Sequence, residues 1–130
     1  FSDRDFPGYA NVTINWSQLH QIISRNNREW RTALQNQKGI YLIIDTHSGK
    51  QYVGSAYGEE MIWGRWQAYV LTGHGGNEAL KKLPFEYIKQ HFQYSILEIA
   101  DGKSSDQYIF ERENWWKQAL LTRTFGYNMN

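Results

Sequence analysis

Apolar positions along the chain switch between two periods, and the switches mark its elements. From Trp16, residues Leu19, Ile22 and Ile23 recur at helical spacing. Asn15 or Ser17 is placed to cap that segment, and Asn26-Asn27 to interrupt it. A second short helix is expected over Arg28 to Leu34. Gly39 to Asp45 is β-branched and aromatic, and Gln51 to Ala56 has the same character. Thr46-His47-Ser48-Gly49-Lys50 between them is turn chemistry, so the pair reads as a hairpin. Met61 to Thr72 returns to helical spacing, with Ile62, Trp66, Tyr69 and Val70 on one side and Gly73 as the stop. His74-Gly75-Gly76 turns the chain, and Asn77 caps a segment carrying Leu80, Leu83 and Ile88. Pro84 should break or kink that segment. Phe92 to Ile99 alternates as a third strand. Asp101-Gly102 turns again, and Ser105 or Asp106 caps a last helix running to about Leu121.

This order predicts an α+β (mixed α/β) fold: a small three-stranded antiparallel sheet flanked by helices, β-β-α-α-β-α, with extra N-terminal helices. Phe1 to Thr13, which carries Pro7-Gly8, reads as an extended arm. The expected division is an N-terminal arm and helices over 1–37 and a main domain over 38–130. Side chains alternate faces along a strand, so the turn decides what the hairpin presents. With Ser48-Gly49 as a two-residue turn, His47 opposes Lys50, Tyr41 opposes Ala56 and Tyr52 opposes Asp45. Tyr41 and Tyr52 then share one face, read as exposed. A four-residue turn keeps that parity, whereas three or five residues break it.

Composition narrows the class. A chain of 130 residues fits one domain, and 41% hydrophobic with 21% charged residues is globular composition. No apolar run approaches the ~18 residues a membrane span needs. The chain begins at Phe1 without a methionine or signal peptide, so it is expected to be a piece of a longer protein. The absence of cysteine excludes a disulfide framework, a thiolate zinc site and a cysteine nucleophile. It suits a reducing compartment, and a cytoplasmic location is expected. Net charge is +1, from 14 Lys+Arg against 13 Asp+Glu. That balance excludes a protein that grips nucleic acid by charge alone. Six tryptophans and nine tyrosines are mostly core, since large rings supply much buried area in a small domain.

Several residues could carry chemistry. Arg65, on an aromatic helix, either pairs with a carboxylate or faces an anion that suits its guanidinium fork. Tyr69 lies one turn on, on the same helix face, as core ring or site residue. In the last helix the apolar stripe runs through Ile109, Trp116, Ala119 and Leu120, with Glu111 and Glu113 on opposite flanks. Periodicity leaves open which carboxylate faces the sheet. Either is a solvated residue, a salt-bridge partner, or the single carboxylate of a hydrated hard cation. Asn128 could orient one of them or lie in a frayed terminus. His20, His47, His74 and His91 lack the spacing of a zinc site, and no phosphate-binding glycine pattern or nucleophile elbow appears.

In order along the chain stand Gly39-Ile40-Tyr41, Tyr52-Val53-Gly54, Arg65, Glu111-Arg112-Glu113 before Trp115-Trp116, and Gly126-Tyr127-Asn128. This series resembles the GIY-YIG nuclease family over about Gly39 to Asn128. Gly54-Ser55-Ala56 and Ser95-Ile96-Leu97-Glu98 resemble its phage-type homing endonuclease subgroup. Glu113 aligns with the family glutamate. Tyr69 stands where many members carry a histidine.

The resemblance implies a metal-dependent endonuclease domain acting on DNA. Glu113 would hold one Mg²⁺ or Mn²⁺, and Arg65 would offset charge growing on the phosphate. Tyr41, its pKa lowered from ~10 near the metal and the arginine, would position or deprotonate the attacking water. Tyr52 and Tyr69 would complete the hydrogen-bond network, and Asn128 would brace the phosphate or the carboxylate. Arg65 and His74 would contact nucleic acid, with a further DNA-binding domain expected in the full-length protein. The rival readings are a nucleic-acid-binding module of this fold with weak or no turnover, and a protein-interaction domain using exposed aromatics.

Overall fold

The computed structural model describes residues 5–130. Its sheet has four antiparallel strands rather than three, in the spatial order β1 (Thr13–Asn15), β4 (Phe92–Ala100), β2 (Lys38–Asp45), β3 (Gln51–Ala56). The added strand β1 is three residues long, too short for alternation to show in sequence, and pairs Thr13 with Ser95 of β4. Residues 1–4 of the expected arm lie outside the described residues. The rest of it contains a 3-10 turn, Tyr9–Asn11, and hands over to β1.

Two helices follow, α1 (Trp16–Ser24) and α2 (Arg28–Leu34), at the expected places. Asn15 caps α1: its Oδ1 accepts from the Gln18 N–H at 2.8 Å, and Gln18 Oε1 accepts from the Asn15 N–H at 2.9 Å. This reciprocal box satisfies two otherwise orphaned donors. Asn27 caps α2 through the Trp30 N–H at 3.1 Å.

The hairpin register differs from the expected one by two residues. Tyr41 opposes Gly54 and Ile43 opposes Tyr52. The loop has four residues, closed where the Asp45 N–H donates to the Lys50 carbonyl at 2.9 Å. Asp45 is the reason. Its Oδ1 accepts from the N–H groups of His47 at 3.0 Å and Ser48 at 3.2 Å, an Asx turn that widens the loop. Parity survives the slip, so Tyr41 and Tyr52 share a face.

That face is not exposed. It is covered by α1, α2, α3 (Met61–Thr72) and α4 (Phe85–His91), and Tyr41, Ile43 and Tyr94 bury against Leu19, Ile22, Trp30, Ile62, Trp66 and Ile88. Pro84 breaks the chain as expected, leaving a 3-10 turn at Leu80–Lys82 before α4. The opposite face buries Ile40, Leu42 and Val53 against Ile109 of α5 (Asp106–Leu120). Within α5, Ala119 is exposed and Lys117 takes a buried position instead. Each fully buried aliphatic side chain stabilises this core by roughly 1.5–3 kcal/mol. A short α6 (Thr122–Phe125), unmarked by periodicity, turns the C-terminal segment back along β3. No helix among the described residues is long and apolar enough to cross a membrane.

Candidate active site

A pocket of about 830 Å³ opens where β3, α3, α5 and the loop after α3 meet. Four of the six expected catalytic residues line it: Tyr41, Tyr52, Arg65 and Glu113. Tyr69 stands one step behind, its hydroxyl 2.7 Å from that of Tyr41. Asn128 does not reach the pocket. Its Oδ1 accepts from the Val53 N–H at 2.8 Å and its Nδ2 donates to the Val53 carbonyl at 3.0 Å, so both ends of the amide clamp β3. His74 flanks the pocket beside Gly75 and Gly76, and its Nδ1 accepts from the Gly76 N–H at 2.8 Å.

The two motif glycines have steric reasons. A Cβ on Gly54 would strike the ring of Tyr41, its cross-strand partner, so only glycine lets that phenol lie across β3 toward the pocket. A Cβ on Gly39 would come within 2.5 Å of the Glu98 carbonyl on the neighbouring strand β4. The glycine of the second tripeptide therefore makes room for the tyrosine of the first.

Arg65 is held from three sides. Its Nη2 donates to the Gly75 carbonyl at 3.1 Å, Nη1 lies 3.7 Å from Glu60, and the guanidinium sits 5.5 Å from the Tyr69 ring centroid. The Glu60 side chain is 66% exposed, so this ion pair contributes little and leaves the cation facing the pocket. Burial works against the Arg65 charge, but the Tyr41 and Tyr69 hydroxyls more than offset it and push its pKa up.

Burial dominates the acid-base character of the site tyrosines. Burial pushes the pKa of Tyr41 up, and the Tyr52 phenol adds to this; Arg65 and Tyr69 pull the other way and lose. No lowering of Tyr41 exists in the protein by itself, so its hydroxyl keeps its proton at neutral pH. Burial also raises Tyr69. Tyr52 is raised by burial and then by the Glu113 carboxylate, against the Asn77 amide and Arg65.

Of the two candidate carboxylates, Glu113 lines the pocket, while Glu111 is exposed and accepts from Gln107 Nε2 at 3.2 Å. One turn beyond, Lys117 places its Nζ 3.5 Å from Glu113 Oε2 and donates to the Asn130 carbonyl at 3.0 Å. Sequence reasoning missed Lys117; its signal is the four-residue spacing from Glu113 on one helix face. Missed as well were Ser55, Tyr57, Asn77, Phe110 and Asn114 of the lining.

Among the described residues no three His, Cys, Asp or Glu side chains cluster to hold a metal. That donor set does not suit zinc or copper, which take imidazole and thiolate ligands. One half-buried carboxylate among phenol and amide oxygens does suit a hard divalent cation that keeps most of its water.

Residues 37–128 match the family described as the GIY-YIG catalytic domain. Intron-associated endonuclease 1 of Enterobacteria phage T4 is 35% identical over 95 residues, covering 72% of this chain. The chain spans only 37% of that relative's length. Among solved structures, the catalytic domain of homing endonuclease I-TevI is similar, with 34% identity and a TM-score of 0.55, over 72% of this chain and 98% of that one. A glutamate-to-alanine mutant of that catalytic domain is similar at 32% identity and a TM-score of 0.56, over 72% and 94%.

Proposed function

The chain belongs to the GIY-YIG family, and from that premise we propose that it is a metal-dependent endonuclease domain hydrolysing DNA phosphodiester bonds. The convergence of Arg65, Tyr41, Tyr52 and Glu113 on one pocket, from four separate elements, carries this reading. Nucleases of this family are generally metal-dependent. Glu113 would hold Mg²⁺ or Mn²⁺, which when bound supplies polarisation of the scissile phosphate and charge stabilisation of the leaving oxygen.

The chain's own residues do the rest. Arg65, pre-positioned by Gly75 and Tyr69, pairs with the phosphate and offsets its growing negative charge without reorganising. Tyr41 keeps its hydroxyl proton and orients the attacking water by hydrogen bonding, with its rotamer fixed by Tyr69. Tyr52 completes the donor set on the phosphate side. His74, beside the pocket loop, contacts the nucleic-acid backbone. Residues 38–130 form the nuclease unit, 1–37 act as its scaffold, and a further DNA-binding domain in the full-length protein would help a +1 chain find DNA.

Tyr69 favours one alternative. Where many relatives carry a histidine, its hydroxyl is committed to Tyr41, as suits a binding module of this fold with weak or no turnover. Incubating the protein with supercoiled plasmid and Mg²⁺ separates the two, because only the nuclease nicks. Arg65→Ala should lower turnover by about 10²–10³-fold while DNA affinity changes only a few-fold. A pure affinity defect in that variant contradicts the proposed role.

A further inference from the structure

The pocket sets an electrostatic problem for a nuclease. Its lining contributes two cations, Arg65 and Lys117, against three carboxylates, Glu60, Glu78 and Glu113. Lys117 already faces Glu113 at 3.5 Å, which leaves Arg65, only weakly paired with the exposed Glu60, as the one lining cation among the described residues turned to a phosphate. Counterion release, the usual source of nucleic-acid affinity, is therefore weak here. Binding at this site needs another contribution.

The mouth of the pocket offers one. Tyr57, leaving β3, and Phe110, on α5, meet edge to face with centroids 4.7 Å apart and an interplanar angle of 74°. Both line the pocket, yet Tyr57 is 44% and Phe110 36% exposed. Their placement is built rather than incidental. The Gly58 N–H donates to Asp106 at 3.3 Å, tying the turn after β3 to the start of α5. On α5, Phe110, Glu113 and Lys117 follow at helical spacing along the pocket-lining face. The aromatic pair thus continues the wall that carries Glu113. An edge-to-face pair leaves a ring face open, and a nucleobase stacks on such a face whatever its identity.

We infer that Tyr57 and Phe110 form a stacking platform for an unstacked nucleobase of the DNA strand whose phosphate enters the pocket. This inference rests on the nuclease reading of the same site. The platform supplies affinity that charge does not, and it gives the site a preference for single-stranded or locally distorted DNA over regular duplex.

The test uses a fluorescein-labelled oligothymidylate of about 12 nucleotides, within the usual length of a single-strand site. Its binding is followed by fluorescence anisotropy across a range of salt. Replacing both rings by leucine (Tyr57→Leu with Phe110→Leu) keeps apolar bulk but removes the π-faces. Affinity should fall about 10-fold, the salt dependence should stay as in wild type because no phosphate contact is lost, and Tyr57→Phe should bind like wild type. The single Tyr57→Leu variant keeps the result readable if the double variant fails to fold. Wild-type affinity in the leucine variants, a changed salt dependence, or no binding of the oligonucleotide by wild type at low salt overturns the platform. Plasmid nicking, measured separately, keeps the two claims apart. Nicking with unaltered leucine-variant affinity removes only the platform; a platform effect without nicking removes only the nuclease reading.

Discussion

Two tyrosine clusters sit on the same face of β2 and do opposite things with their hydroxyls. At the hairpin end, Asp45 is fully buried and accepts from Tyr87 at 2.7 Å, from Tyr127 at 2.5 Å, and from the His47 and Ser48 N–H groups. Burial opposes its charge, but the Tyr127 and Tyr87 hydroxyls and Ser48 outweigh that and bring its carboxyl down to about 2. Every partner there is internal, and the cluster is closed. At the other end, four residues back along the strand, Tyr41 and Tyr69 surround a cation rather than an anion, and Tyr41, Tyr52 and Arg65 open onto a pocket. The same side-chain chemistry stabilises the fold where its partners are complete and serves a ligand where they are not.

Mutations should separate the two ends. The largest contrast is between Arg65→Ala, with its 10²–10³-fold loss of turnover at nearly unchanged stability, and Asp45→Asn. The Asp45→Asn variant should lose about 2 kcal/mol of stability while the folded fraction keeps wild-type turnover. Urea denaturation alongside plasmid nicking reads both. Slightly smaller is Asn128→Ala, which leaves the Val53 N–H and C=O without their clamp. It should cost about 1–2 kcal/mol, again with turnover per folded molecule within a few-fold of wild type. A rate loss without a stability loss would return Asn128 to the catalytic set. The smallest effect is a pH dependence. The folded-state carboxyl of Asp45 lies below its ordinary value of 3.8, so the stability it contributes is present above that pH and fades as pH falls toward about 2. Unfolding midpoints of wild type should drop over this window more steeply than those of Asp45→Asn.

The sequence was most legible where local rules acted alone. The bounds of α2, β3 and α3 are the expected ones, because the Asn26-Asn27 interruption, the hairpin turn residues and the Gly73 stop each act within a few residues. What it left unread depends on partners far along the chain. Strand β1 is visible only through its pairing with β4, and the hairpin loop is lengthened by Asp45, whose position Tyr127 and Tyr87 secure from distant elements. The tripeptides pointed to Tyr41 and Tyr52, but their burial under α3 and the raised Tyr41 pKa come from packing. Asn128 carries a motif position yet spends its amide on Val53, and Lys117 carried no motif yet lies beside Glu113. Spacing locates residues near a site; only packing decides which way each polar atom faces.

The open cluster is meaningful as a catalytic site only if Glu113 completes it. The most direct measurement is Mg²⁺-dependent nicking of supercoiled plasmid by wild type and Glu113→Ala, with thermal unfolding of both recorded beside it. The account predicts that wild type nicks, that the variant does so at least about 10³-fold more slowly, and that the two unfold at closely similar temperatures. Nicking by Glu113→Ala at the wild-type rate would contradict it.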